Sequence, residues 1–190
     1  MQTRTVRSDP RSEDAAVLTR YTGPAMLLHW VTAGLVLFLF GLGWYMVDLP
    51  KGPERGANFA LHKSVGILVF LLTIARLYWR LRHPAPLLPS HMPPWQQRLV
   101  RTVHRSFYVM LFVHPFFGYL SAEFAGYGTK FFGIPLHNWG WKDQAINEFF
   151  TECHEVTGIV LLILVICHLA GAISHLLKRG DRMLRRMVPW

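Results

Sequence analysis

The chain has 190 residues, 52% of them hydrophobic and 16% charged, which excludes a disordered chain and suits one compact unit rather than several domains. Its formal net charge of +9 would suit a nucleic-acid binder, but the placement of the apolar residues argues for a membrane protein. The two cysteines exclude a disulfide framework: Cys153 and Cys167 lie on one predicted helix, about 21 Å apart in rise, too far to bridge.

Residues 1–20 carry Arg4, Arg7, Arg11 and Arg20 with three acids and read as a flexible, solvated tail. The first apolar run, Ala25–Val47, has no formal charge over 23 residues. It is too long and too late for a cleaved signal and long enough to cross a bilayer. Pro50, Gly52 and Pro53 then break the chain. The second span, about 61–81, is weaker, because its uncharged stretch Ser64–Ala75 is only 12 residues. Lys63 and Arg80 sit at its ends, where long side chains snorkel, whereas Arg76 is deeper and needs a partner. Pro84, Pro86, Pro89, Pro93 and Pro94 make a stiff linker. A third span, about 104–124, contains the uncharged run Ser106–Ala122 with His114 and Pro115 inside it. A Gly- and aromatic-rich loop over 125–150 leads to the fourth span, about 152–177. The expected fold is an all-α, four-helix transmembrane up-down bundle over 21–190.

Basic residues set its sidedness. Fifteen fall with the tail, the second-to-third connection and the C-terminus, against five (Lys51, Arg55, Lys63, Lys130, Lys142) on the other side. Both termini are therefore expected in the cytoplasm, and the basic excess needs no nucleic acid.

The sequence holds ten histidines, and ionisable residues inside spans point to function. His29 lies near the cytoplasmic start of span one and His62 at the outer start of span two. Span four carries His154 near its outer end and His168 deeper. These two are about 21 Å apart and within about 40° of the same face. By depth, His29 matches His168 and His62 matches His154. Two metal centres, each held by imidazoles from different helices, would satisfy all four. Haem iron suits such pairs, whereas zinc wants four ligands at one point.

Gly34, Gly41, Gly43, Gly66, Gly158, Gly171 and Ala172 leave room for a planar cofactor, and equally for close helix packing. Arg76, fourteen residues after His62, falls on the same face, placed either to pair with a propionate of the cytoplasmic haem or to snorkel to headgroups. His104, at the cytoplasmic entry of span three, is placed to cap a propionate or a quinone oxygen. His114, beside Pro115, is placed to bond a freed carbonyl. His175, about 32 Å from His154, is a poorer ligand, and His83, His91 and His137 read as loop residues. Trp30, Trp44, Trp79, Trp139 and Trp141 read as interfacial anchors.

With these residues in place, the chain resembles the bacterial cytochrome b561 family, small four-helix dihaem b-type cytochromes of the inner membrane. The resemblance runs from about Arg20 to the end. It rests on Leu28-His29-Trp30, Leu61-His62-Lys63 with Gly66, Arg76-Leu77, and Arg80-Leu81-Arg82 before Pro84 and Pro86. It continues through His104 with Tyr108, Pro115 and Gly118, then Phe132-Gly133-Ile134-Pro135 and Cys153-His154-Glu155. His168, His175 and the tail from Asp181 to Pro189 complete it. The N-terminal tail departs from the short start of the family.

The resemblance implies two haem b groups ligated by His29/His168 and His62/His154, beside the cofactor-facing placement read above for Arg76 and His104. It implies electron transfer to or from a quinone, with ubiquinone the expected acceptor or donor. One branch is similar to superoxide oxidases that reduce ubiquinone. A related branch supplies cytochrome b subunits to hydrogenase or formate dehydrogenase. The expected function is electron transport in the inner membrane, either as a superoxide:ubiquinone oxidoreductase or, alternatively, as the electron-transfer anchor of a partner redox enzyme. Expected partners are lipid, the quinone pool, and a small-molecule or protein donor from the periplasm. A haem-free membrane scaffold is the reading of another class.

Overall fold

The computed structural model describes residues 20–88, 92–177 and 184–187. The expected tail lies outside them except for Arg20, as do His91, Lys178, Arg179 and Arg182. Four long helices make up most of the described chain: α1 (Gly23–Asp48), α2 (Pro53–Arg82), α3 (Pro94–Phe124) and α4 (Gln144–Leu177). All four are long and apolar enough to cross a membrane.

The boundaries follow local chemistry. Pro24, Pro53 and Pro94 stand in the first turns of α1, α2 and α3, where a missing N–H costs nothing. Glu54 in the first turn of α2, and Arg80 and Arg82 in its last, match the helix dipole. The carboxylate of Asp143 accepts the backbone N–H of Ile146 at 3.1 Å and so caps α4. After α3, Gly126 and Gly128 adopt positive φ of 81° and 65°. The loop then forms a two-residue hairpin between β1 (Lys130–Phe131) and β2 (Ile134–Pro135), paired antiparallel. Its turn residues Phe132 and Gly133 have φ of 46° and 89°. Both signs are those of the turn that matches strand twist, and for Phe132 the conformation is strained.

Ser64 of α2 ties this hairpin down. Its hydroxyl accepts the Phe132 N–H at 3.0 Å and lies 3.2 Å from the Lys130 carbonyl. Lys63 adds a bond to the Gly128 carbonyl at 3.2 Å. At the opposite end, a 3-10 turn (Leu184–Met187) packs against α4 and is hydrogen-bonded to the start of α1. Tyr21 N–H donates to the Arg186 carbonyl at 3.2 Å, Trp30 Nε1–H to the Met187 carbonyl at 2.7 Å, and the Arg186 guanidinium to the Leu87 carbonyl at 2.7 Å. The bundle thus has a hairpin end and a terminal end.

Among the described residues, one cluster of buried apolar side chains forms a layer with a residue from each helix: Val36, Val69, Leu111 and Leu161. Leu35, Leu39, Phe40, Phe107 and Met110 pack around it. Leu42, Met46, Val65, Leu120 and Phe124 are buried elsewhere along the helices. Outside, Leu37, Phe38, Ile159, Ile163 and Ile166 are exposed; such apolar surface is unsuited to water and suited to lipid. Thr32 and Thr73 are buried and return their hydroxyls to the Leu28 and Val69 carbonyls of their own helices, which satisfies them without a cross-helix partner.

Candidate functional site: two histidine pairs

The antiparallel run of the helices brings the start of α1 beside the end of α4. There the rings of His29 and His168 lie with centroids 6.2 Å apart and planes at 77°. At the hairpin end, the start of α2 meets the start of α4, and His62 and His154 lie 6.3 Å apart at 81°. Each residue of the apolar layer stands seven positions from a histidine: Val36 from His29, Val69 from His62, Leu111 from His104, and Leu161 from both His154 and His168. Seven residues are two turns, about 10.5 Å. The layer therefore sits midway between the pairs on the histidine-bearing faces.

Whether these pairs suit a haem can be tested on the chain itself. With a metal–imidazole bond of about 2 Å and roughly 1.1 Å from ring nitrogen to centroid, two imidazoles that shared one metal would stand with centroids up to about 6.2 Å apart. Both pairs match that separation. His29 and His62 each hold a buried Nδ1 with no hydrogen-bond partner, an uncommon condition for a buried nitrogen. Among the described residues no cluster of three or more metal-ligating side chains forms. A two-imidazole donor set fits an iron whose other four positions a macrocycle supplies. Helix α4 packs closely on α3, while α1 and α2, whose histidines face it, make little close backbone contact with it. The helices that share histidine pairs are thus held apart. The residues fit the group.

The surroundings of the pairs differ. His168 is met edge-on by His104 and Phe107, each at 5.4 Å. His104 Nδ1–H donates to the Val100 carbonyl at 2.7 Å. The Arg76 guanidinium lies 5.7 Å from the Tyr108 ring centroid and near enough to His29, His104 and His168 to act on each electrostatically. Trp79, one turn beyond Arg76, donates from Nε1 to Thr22 at 2.8 Å.

At the hairpin end, His114 stacks on His154 at 3.8 Å. The sequence places His114 to bond a carbonyl freed by Pro115; its Nδ1 instead faces the carbonyl of His154 on α4, at 3.1 Å. His83 stacks on Trp79 at 4.1 Å, and His137 is an exposed loop residue.

One further residue was not singled out from sequence. Glu123, at the end of α3, is fully buried under the loop. Its Oε2 accepts the Trp139 N–H at 3.3 Å and its Oε1 has no partner. Its signal was available: it is the acid that ends the uncharged run Ser106–Ala122.

Together these features define a class: a four-helix membrane bundle with two histidine pairs at different depths, each formed by imidazoles from different helices. The model of the family described as prokaryotic cytochrome b561 matches residues 20–190, and the chain belongs to that family. It is therefore a multi-pass membrane protein of a b-type haem, electron-transferring family. It is 30% identical to the cytochrome b561 homolog 2 of Escherichia coli (strain K12) over 185 residues, covering 89% of this chain and 91% of that protein. It is 22% identical to the probable superoxide oxidase CybB of Yersinia pestis over 166 residues, covering 85% and 92%.

Proposed function

We propose that this chain is a dihaem cytochrome that carries single electrons through the inner membrane between its two ends, delivering them to ubiquinone. The observation that carries the reading is the pair of matching separations, 6.2 and 6.3 Å, on opposite sides of one apolar layer. His29 and His168 hold the haem at the terminal end, and His62 and His154 the haem at the hairpin end. Haem iron, when bound, supplies reversible one-electron chemistry. The chain supplies the rest. Its imidazoles set ligand geometry, and Val36, Val69, Leu111 and Leu161 exclude water between the sites. Arg76 and His104 present positive charge and a hydrogen-bonding ring at the terminal end, where a propionate or a quinone oxygen is accommodated.

The termini face the cytoplasm in this reading, from the fifteen-to-five division of basic residues. The hairpin end then faces the periplasm. The likeness to a probable superoxide oxidase supports superoxide as the donor there: it gives up one electron and leaves as dioxygen. Lys130 and Lys142 are exposed on that end and attract an anion.

The test is purification with haem quantitation, followed by anaerobic and superoxide-generating reduction in the presence of a soluble ubiquinone. Two haems per chain and superoxide-driven quinone reduction are expected. One haem or none would overturn the dihaem reading. Two haems that superoxide does not reduce would overturn the oxidase and leave the anchor of a partner redox enzyme in its place.

A further inference from the structure

We propose that His114 is a positioning residue for His154: together with Gly118 and Gly158 it forms a reciprocal clasp that fixes the tautomer and orientation of the hairpin-end imidazole. The inference rests on His154 being an iron ligand.

The two rings stack with centroids 3.8 Å apart and planes 10° apart. Each is hydrogen-bonded to the backbone of the other residue. His154 Nδ1 lies 2.8 Å from the His114 carbonyl oxygen, and His114 Nδ1 lies 3.1 Å from the His154 carbonyl oxygen. A carbonyl only accepts, so both Nδ1 atoms carry the proton and both Nε2 atoms keep the lone pair. Thr157 joins the same knot. Its Oγ1 is 3.1 Å from His114 Nδ1 and donates to the Cys153 carbonyl at 2.7 Å.

Each ring also rests on a glycine of the facing helix. A Cβ at Gly118 would stand 2.8 Å from His154 Cε1 and 2.9 Å from its Nδ1; one at Gly158 would stand 3.2 Å from His114 Cε1. Gly118 is four residues after His114, and Gly158 four after His154. The same His-x-x-x-Gly unit therefore occurs on both antiparallel helices, each ring lying in the gap left by the other's glycine. Pro115 lies next to this contact inside α3, where a missing ladder bond loosens the helix.

The chemical consequence is specific. A ligand imidazole whose Nδ1–H is bonded to a carbonyl presents Nε2 to the metal and is the stronger donor for it. The parallel ring on its face stops it turning about its own axis. The His114 side chain anchors the α4 backbone at residue 154 from the other side. The terminal-end pair has a different support, because its neighbours His104 and Phe107 meet His168 at 89° and 80°.

The test uses purified holoprotein of wild type, His114→Ala, His114→Phe and His154→Ala. It reads haem stoichiometry, the ferric electron paramagnetic resonance g-values, and a redox titration. His114→Ala is expected to keep both haems while displacing the g-values of one. The reduction equilibrium of that haem should change at least threefold, where tenfold is 59 mV for one electron. His114→Phe keeps a ring on the stack but loses the donor, and is expected to shift the same haem by less. Wild-type g-values and potentials in both His114 variants would overturn the proposal. If the Ala variant does not assemble, the Phe variant decides alone. His154→Ala separates the two readings. Loss of one haem there upholds the ligand assignment whatever His114 does. Retention of two haems with unchanged spectra overturns that assignment and this proposal with it.

Discussion

The two histidine pairs have nearly the same internal geometry and very different surroundings. Separations of 6.2 and 6.3 Å and interplanar angles of 77° and 81° would mark them as equivalent sites. Around them, the hairpin end is braced by backbone: a stacked ring, two carbonyl bonds, a loop pinned through Ser64 and Lys63, and the buried Glu123. The terminal end is instead rich in side-chain charge and aromatic edges, with Arg76, His104, Tyr108 and Phe107, and the strap at Leu184–Met187 is tied to α1, the helix that carries His29. Under the proposed ligation, one pair geometry would serve two potentials, because a protein tunes an iron through charge, hydrogen bonding and burial as well as through its ligands.

The largest expected effect breaks the pairs one at a time. His154→Ala is expected to remove the hairpin-end haem and largely spare the other, and His168→Ala to do the reverse, read by pyridine haemochrome stoichiometry and difference spectra. Either variant retaining two haems with wild-type spectra would sink that ligand assignment. The orientation of the comparison is a separate matter. A C-terminal reporter active only in the periplasm should be silent, and strong activity would exchange the sides assigned to the two ends.

Much of this comparison was readable from spacing. The apolar runs and their proline breaks are local features, and the bundle follows them. The fourteen-residue interval between His154 and His168 puts both on one face by helix geometry alone. The surroundings were not legible in the same way. That His114 faces the backbone of His154 depends on how α3 and α4 cross, forty residues apart in sequence. Ser64 reads as one more small helix residue until the hairpin folds back on it. The strap at Met187 depends on an indole, Trp30, 157 residues away. Periodicity tells which face a residue occupies; it carries no information on what a distant loop lays against that face.

A smaller effect sharpens the electrostatic side. Arg76→Gln removes one positive charge from beside the terminal-end pair. A unit charge about 10 Å from a redox centre, at an effective dielectric of about 20, contributes about 1.7 kcal/mol. Positive charge favours the arriving electron, so the terminal-end haem should become harder to reduce by a factor on the order of ten in its equilibrium. The hairpin-end haem should barely move. A redox titration resolving both haems checks this. An equal shift at both ends would mean that Arg76 acts through the fold rather than through its charge.

The smallest expected effect concerns the approach to the hairpin end. Lys63 is committed there: its ammonium bonds the Gly128 carbonyl and lies within electrostatic reach of Glu123. Lys130 and Lys142 are exposed and free to act on a small anion in solution, the stem of Lys142 resting over Gly126. Attraction of this kind raises an encounter rate and falls as salt rises, because the screening length is about 8 Å at physiological ionic strength. Replacing both lysines with Gln should therefore slow superoxide-driven reduction of the hairpin-end haem by about two- to fivefold at low salt. It should flatten the salt dependence and leave haem content and both potentials unchanged. Stopped-flow reduction across a salt series measures all of this. A wild-type rate that does not depend on salt would remove any steering role from this face and leave the two lysines as interface markers.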